Sequence, residues 1–265
     1  MRKNLKLVLA IISYNTKQNL AYFGENWANF FSTIFYTLSY LVVLHLTFRE
    51  IGTVAGYTLN DILLIMLLLQ LSLYAVGPFS DSLGALSIMI NDGSWDLVLL
   101  KPLPRKLYLL INSFSPVYMV RDGVAILLVI WDINWGSLHI TLRNVVLGMI
   151  ILLLGFVLDL LYLFTTALLA FWQESGGNPF LKLAIWGVNG GGTEYPESAI
   201  QGPLRKFLIF FMPGFLVANV STAIMIGKLS IMNVLPWAIM ALSLAYFLQR
   251  RLWRASLKRY TSASS

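Results

Sequence analysis

Positive charge in this chain of 265 residues is confined to short stretches, and long apolar stretches lie between them. Fifteen of the 19 Lys and Arg residues lie in four segments: residues 1–26, 81–106, 173–206 and 249–265. The hydrocarbon core of a bilayer is about 30 Å thick, so a helix that crosses it needs about 20 largely apolar residues. Apolar windows close to this length predict six membrane spans, at residues 27–48, 62–79, 107–131, 145–172, 204–226 and 234–248.

The composition favours an all-α integral membrane protein. Hydrophobic residues make up 58% of the chain, charged residues 12%, and the mean hydropathy is +0.73, which exceeds what the core of a water-soluble domain requires. Loops rich in Lys and Arg stay in the cytoplasm, so the four basic segments and both termini are predicted to be cytoplasmic. The net charge of +7 therefore indicates membrane topology and not nucleic-acid binding.

The chain is poor in residues suited to metal, redox or nucleotide chemistry. It has no cysteine, which excludes disulfides and thiolate metal sites, and its two histidines, His45 and His139, are far apart in sequence. No G-x-x-x-x-G-K-[ST] motif occurs, and the glycines at residues 190–192 are expected to form a bend. We therefore expect no metal, no cofactor and no catalytic residue in this chain.

The first 26 residues are too charged to cross a membrane and too apolar for a solvated tail. Their apolar residues recur at helical spacing while Lys6 and Lys17 lie on other sides, which predicts an amphipathic helix at the cytoplasmic interface, facing lipid phosphate. Such a helix can serve as an anchor that sets the topology, or it can also bind a cytoplasmic partner. The sequence leaves both roles open.

The second basic segment, residues 90–106, contains a short apolar stretch between charges. Gly93 can break the chain, and Pro102 ends the turn of helix that begins at Trp95. We interpret Trp95, Leu97 and Leu100 as an apolar knob that inserts into a groove of another protein, with Arg105 as its charged fastening. An interfacial loop is the alternative that the residues leave open.

Several short motifs occur in one order along the chain. They are a G-x-x-D-x-x-L-L-x-P-L block at residues 93–103, Phe171-Trp172, Tyr195-Pro196, a basic stretch before Pro213, and a K-R-Y-T-S-A-S tail at residues 258–264 that contains Tyr260. With six spans and cytoplasmic ends, this order resembles the permease subunits of ABC-2 type exporters. The resemblance covers essentially the whole chain and points to the branch that is usually paired with a second permease and a separate ATPase.

The resemblance implies a single transmembrane domain, residues 1–265, that acts as the permease of an ATP-driven exporter in a bacterial inner membrane. Its expected partners are two ABC ATPase subunits, which bind ATP and Mg, and a second six-span permease that is either a paralogue or another copy. Residues 219–228 would form a re-entrant segment on the outer side. The residues implied to couple the permease to the ATPase are Gly93, Trp95, Asp96, Leu97, Leu100, Pro102 and Arg105.

Ionisable or amide side chains within the predicted spans are the remaining candidates for functional residues, because a charge at the bilayer centre costs about 3 kcal/mol and is rarely present without a role. They are Gln70, Arg121, Asp122, Asp159 and Asn219. Neighbours in a helix point apart, so Asp159 and not Asp122 is the expected partner of Arg121, although their depths differ by about 8 Å. The alternative to this pair is that Arg121 and Asp159 are separate, each facing protein or trapped water. The amides of Gln70 and Asn219 are expected to join helices.

Two other functional classes are alternatives to the exporter. A self-sufficient secondary carrier or channel would show repeated halves with broken helices, and no such repeat is evident. An intramembrane enzyme is not supported, because neither H-E-x-x-H nor G-x-S-x-G occurs in the chain. The transported substrate does not follow from the sequence.

Overall fold

The computed structural model describes residues 2–21, 23–114, 117–173, 179–188, 196–200 and 202–260. These residues are almost entirely helical and contain no β-strand, which confirms the predicted all-α class for this part of the chain. The helices in chain order are α1 (Arg2–Ala21), α2 (Phe23–Ile51), α3 (Leu59–Asn91), α4 (Trp95–Leu99), α5 (Arg105–Ile111), α6 (Val117–Asp132), α7 (Leu142–Ala167), α8 (Pro179–Val188), α9 (Gly202–Phe211), α10 (Pro213–Phe215), α11 (Ser221–Met225) and α12 (Leu235–Arg259).

Among the residues that the structure describes, three helices are long and apolar enough to cross a membrane. They are Trp27–Ile51 within α2, Leu59–Asn91, and Leu142–Trp172, in which α7 continues into a 3₁₀ turn. These helices contain the predicted spans 27–48, 62–79 and 145–172. A shorter apolar helical stretch runs from Pro213 to Met225.

Helix α3 lies at the centre of the molecule. Its start is fixed by a capping box, in which the Thr58 hydroxyl accepts from the backbone N–H of Asp61 and the Asp61 carboxylate accepts from the backbone N–H of Thr58. Every residue from Asp61 to Gln70 is buried, against α2, α6 and α7. The helix extends 12 residues beyond the predicted span, to Asn91, and so connects the apolar core directly to the basic segment at residues 90–106.

Helix α7 packs closely against the stretch that ends in α11. A Cβ built on Gly155 would lie 2.5 Å from Cγ2 of Val217, and one on Gly148 would clash with Cγ of Met225. Both positions therefore need glycine for the two helices to approach. This contact continues the packing that holds Asp159, one turn beyond Gly155, in the interior.

The predicted span 107–131 is two helices, α5 and α6, and not one. Asn15 of α1 donates from Nδ2 to the backbone oxygens of Ile111 (3.1 Å), Asn112 (2.9 Å) and Phe114 (3.2 Å) at this break. Carbonyl groups that lose their helical partners require such donors. The amphipathic α1 is thereby fixed to the point where α5 ends.

The predicted span 204–226 is likewise interrupted, because Pro213 cannot donate a backbone hydrogen bond and α9 ends two residues before it. Residues Leu216–Val220 are π-helical and continue into α11. Asn219 lies inside this helical stretch, and the re-entrant segment at residues 219–228 remains a prediction. The chain reverses at Gly227, whose φ is +77°.

The two ends of the bundle differ in charge. One end, here called the basic end, carries α4, α5, the end of α7 and the last turns of α12, which share one buried cluster. At the opposite end, Lys228 donates to the Asp61 carboxylate (2.9 Å) and to the backbone oxygen of Gly56 (2.6 Å), while His45 lies 2.9 Å from Asp132. The second end is thus held by polar contacts between loops and helix termini.

Candidate functional site

A cavity of about 530 Å³ that is open to the surface lies between α2, α3 and α6. Most of its lining residues have polar side chains, although polar and apolar atoms share its surface about equally. Its lining residues are Asn29, Ser32, Thr33, Tyr36, Thr37, Gln70, Leu73, Gly77, Pro78, Ser80, Asp81, Arg121 and Asp122. We call it the polar cavity. Three of the five polar residues predicted within the spans contribute to it: Gln70, Arg121 and Asp122.

The contribution of α3 is a stripe on one face. Gln70, Leu73, Gly77 and Asp81 follow one another at intervals of three or four residues. A spacing of 11 residues returns to the same side of a helix, so Gln70 and Asp81 point the same way, about 16 Å apart along the axis. Sequence reasoning missed Asp81 because this residue lies beyond the apolar window at 62–79.

The contribution of α2 is also a stripe that sequence reasoning missed. Asn29, Thr33, Tyr36 and Thr37 recur at the period of a helix within a span that is otherwise apolar. This periodicity is a signal that a hydropathy average conceals. A polar stripe on a membrane helix indicates a face that lines protein or water and not lipid.

Arg121 pairs with its neighbour in sequence and not with Asp159. The Arg121 Nε atom donates to Asp122 Oδ1 at 2.7 Å. Asp159, which is completely buried, accepts a hydrogen bond of 2.8 Å from the Ser72 hydroxyl. The predicted Arg121–Asp159 pair is therefore wrong: a long Arg side chain can fold back to the next residue, although the Cβ atoms of neighbours point apart.

The two amides have different surroundings. Gln70 is 8% exposed, lines the polar cavity and makes no hydrogen bond among the described residues, so the prediction that it joins helices is wrong. Asn219 is completely buried in the π-helical stretch against α7, away from the cavity.

The apolar knob predicted at residues 95–100 divides into a buried and an exposed part. Gly93, with φ +77°, turns the chain at the end of α3, and the hydroxyl and backbone N–H of Ser94 lower the pKa of the Asp92 carboxylate. Trp95 is completely buried, whereas Leu97 is 63% and Leu100 81% exposed. The prediction that Trp95 belongs to the partner-binding surface is therefore wrong, because its ring faces the interior of this chain.

The indole of Trp95 packs in an aromatic row. Its ring lies edge-on to Phe171 at 5.7 Å, and Phe171 lies edge-on to Tyr260 at 6.1 Å. Burial and, after it, the nearby Asp96 raise the pKa of Tyr260. Three motif residues far apart in sequence thus join α4 to the ends of α7 and α12.

The sequence of the chain matches one protein family, described as ABC-2 family transporter protein, over residues 34–264. The match covers residues 90–106 and most of the polar cavity, but Asn29, Ser32 and Thr33 of the cavity wall precede it. The chain belongs to the ABC-2 transporter family. The resemblance seen in the sequence is confirmed, and with it a multi-pass membrane protein. Searches of the curated proteins and of the solved structures return no significant match.

As an ABC-2 permease, the chain is the membrane component of a transporter whose ATPase is a separate subunit, so it is not itself an enzyme. Its association with an ABC ATPase follows from the same membership. Among the other motif residues of this permease, Trp172 is partly exposed, and Pro196 and Pro213 are buried. Tyr195 and residues 261–264 lie outside the described residues.

Proposed function

We propose that this ABC-2 permease is one half of the membrane path of an ATP-driven exporter. The other half is a second six-span permease, either a paralogue or another copy, and two ATPase subunits supply ATP and Mg. The observation that carries the proposal is the family match over residues 34–264 together with an exposed apolar surface at the basic end. Six crossings and cytoplasmic termini belong to the same proposal and are supported by the distribution of positive charge. A bacterial inner membrane is proposed from the family resemblance alone.

The partner surface in this proposal consists of Leu97, Leu100 and Arg105, which are all exposed, with Pro102 between them. Asp96 remains half-buried near Tyr260. Exposed apolar side chains flanked by charges suit a docking contact between an apolar groove and a charged rim. Trp95 supports this surface from below and does not contact the partner.

Movement of the ATPase can reach the polar cavity through a short mechanical route. Helix α4 is joined to α3 at Gly93, and the same α3 carries Gly77 and Asp81 in the cavity wall. Beneath α4, the Trp95 ring contacts Phe171 at the end of α7. A force on α4 would therefore tilt α3 relative to α2 and alter the width of the cavity between them.

The test is purification of the chain from its native membrane in mild detergent, with mass identification of co-purifying proteins. We expect an ATPase with the wild-type chain and a large loss of it with Leu97→Ala/Leu100→Ala. The matched control is Leu127→Ala/Leu142→Ala, whose leucines are 64% and 82% exposed but lie on α6 and α7 away from α4. Isolation of the chain alone, with flux that is independent of ATP, would instead support a secondary carrier.

A further inference from the structure

Two smaller spaces adjoin the polar cavity and share lining residues with it. Toward α1, a pocket of about 280 Å³ shares Asp81 with it, and its described lining residues are all polar: Asn15, Gln18, Asn19, Asp81, Asn112 and Ser113. Beyond Gln70, a recess of about 60 Å³ shares Tyr36, Gln70 and Leu73 with the polar cavity and is otherwise largely apolar, with Ile62, Ile65 and Met66 in its wall. The three spaces form one series that runs from polar to apolar along α3.

The charge in this series is not balanced. Arg121 is engaged by Asp122 at 2.7 Å, and it also interacts electrostatically with Asp81. Among the described residues of the wall, two carboxylates and one guanidinium sum to a formal charge of −1. Among the described residues, no side chain donates a hydrogen bond to Asp81 or forms an ion pair with it, and Asp81 is exposed where the polar cavity meets the pocket toward α1.

Two further polar residues in the wall have no hydrogen-bond partner among the described residues. Gln70 is 8% exposed as a whole, and its amide is accessible in the polar cavity. Thr37 is completely buried, and its hydroxyl has no partner in the part of the chain that the structure describes. Buried polar groups are normally hydrogen-bonded, and leaving one unpaired costs about 1–3 kcal/mol. Both residues line the polar cavity, and the Gln70 amide can pair with a molecule bound there.

We propose that this series of cavities binds an amphiphilic cation. Its positive group would lie against Asp81, its hydrogen-bonding atoms would face Gln70 and Thr37, and its apolar end would enter the recess beyond Gln70. An excess of one carboxylate over the guanidinium among the described wall residues favours a cation over an anion, and the polar-to-apolar order of the walls selects a molecule with the same order. The proposal names the substrate class of the path and rests on the proposed function.

The test is direct binding to the full chain in nanodiscs of zwitterionic phosphatidylcholine, read by fluorescence anisotropy. The probe is rhodamine 6G, a lipophilic cation with N–H donors, and the matched probe is the ethyl ester of fluorescein, an anion with a similar ring system. Empty nanodiscs give the contribution of lipid partitioning. We expect saturable binding of the cation and at least about tenfold weaker binding of the anion.

Two variants locate the site. Asp81→Asn should weaken rhodamine 6G binding about tenfold, and Gln70→Leu about fivefold. The control is Glu50→Gln, which removes an exposed carboxylate at the far end of α2 and should leave affinity unchanged. Elution as a single species and an unchanged circular dichroism spectrum would show that each variant is folded.

The inference and the proposed function fail in different ways. Equal affinity for the two probes, or an affinity for rhodamine 6G that is unaffected by Asp81→Asn, would overturn the cation site even if an ATPase co-purifies. Binding that depends on Asp81 in a chain that captures no ATPase would support the cation site and contradict the exporter. Asp81→Asn should not reduce co-purification of the ATPase, because Asp81 does not lie on the partner surface.

Discussion

Substitutions at Trp95 and Leu100 distinguish residues that stabilise the fold of α4 from residues of the proposed partner surface. Trp95 is completely buried and packs on Phe171 at 5.7 Å. Truncation of a buried Trp to Ala costs about 3–5 kcal/mol. For a protein of this size, about 2–4 °C of melting temperature corresponds to each kcal/mol, so Trp95→Ala should lower the melting temperature by at least about 6 °C. Thermal unfolding of the purified chain in detergent, followed by circular dichroism, measures this shift.

Leu100→Ala should behave in the opposite way. Leu100 is 81% exposed, and exposed substitutions usually change stability by no more than about 0.5 kcal/mol. It should therefore melt like the wild type while losing ATPase binding. Trp95→Phe should fall between these two variants, since it loses contacts but also removes a buried indole N–H that has no partner among the described residues. If Trp95→Ala melts like the wild type and Leu100→Ala does not, the assignment of buried support and exposed surface is refuted.

The remaining predictions concern the interior. Arg121→Ala and Asp159→Ala should act additively, within about 0.5 kcal/mol in a double-mutant cycle of unfolding, and a larger coupling energy would contradict the separate pairing. Ser72→Ala should destabilise by about 1–3 kcal/mol because, among the described residues, the Ser72 hydroxyl is the one donor to the buried Asp159 carboxylate, and Asp159→Asn should cost less than Asp159→Ala, since an amide still accepts from Ser72. Gly155→Ala should destabilise by about 1–3 kcal/mol, whereas Gly84→Ala, with nothing within 4 Å of the added Cβ, should not. Asn15→Ala should expose α1 to limited proteolysis sooner than Asn19→Ala, because three backbone oxygens lose their donor.

The sequence predicts the helical class and the basic segments, because these depend on composition and on local spacing. Helix lengths depend on more than hydropathy. The window at 62–79 covers little more than half of α3, whose last turns are less apolar but pack on α4 and α5. The breaks before Val117 and Pro213 are also missed, since an average over an apolar window does not register the loss of a backbone donor at one proline.

The parts of the site that could not be predicted depend on tertiary contacts. Trp95 and Leu100 are both large and apolar in one short segment, and only the packing of Phe171 and Tyr260 against the indole decides which of them is buried. The spacing of Asn29, Thr33 and Tyr36 already shows a polar stripe on α2. Only the fold shows that this stripe faces a second one on α3, which includes Asp81, and that the two line one cavity.

Site-directed photocrosslinking tests most directly whether the partner surface contacts an ABC ATPase. The chain has no cysteine, so a benzophenone maleimide attached to Leu100→Cys labels one position only. Leu142→Cys, at 82% exposure on the far end of α7, is the matched control. Illumination of native membranes should give an adduct between position 100 and an ABC ATPase, and none with position 142. An ATPase adduct at position 142 alone, or no ATPase adduct at position 100, would contradict the account.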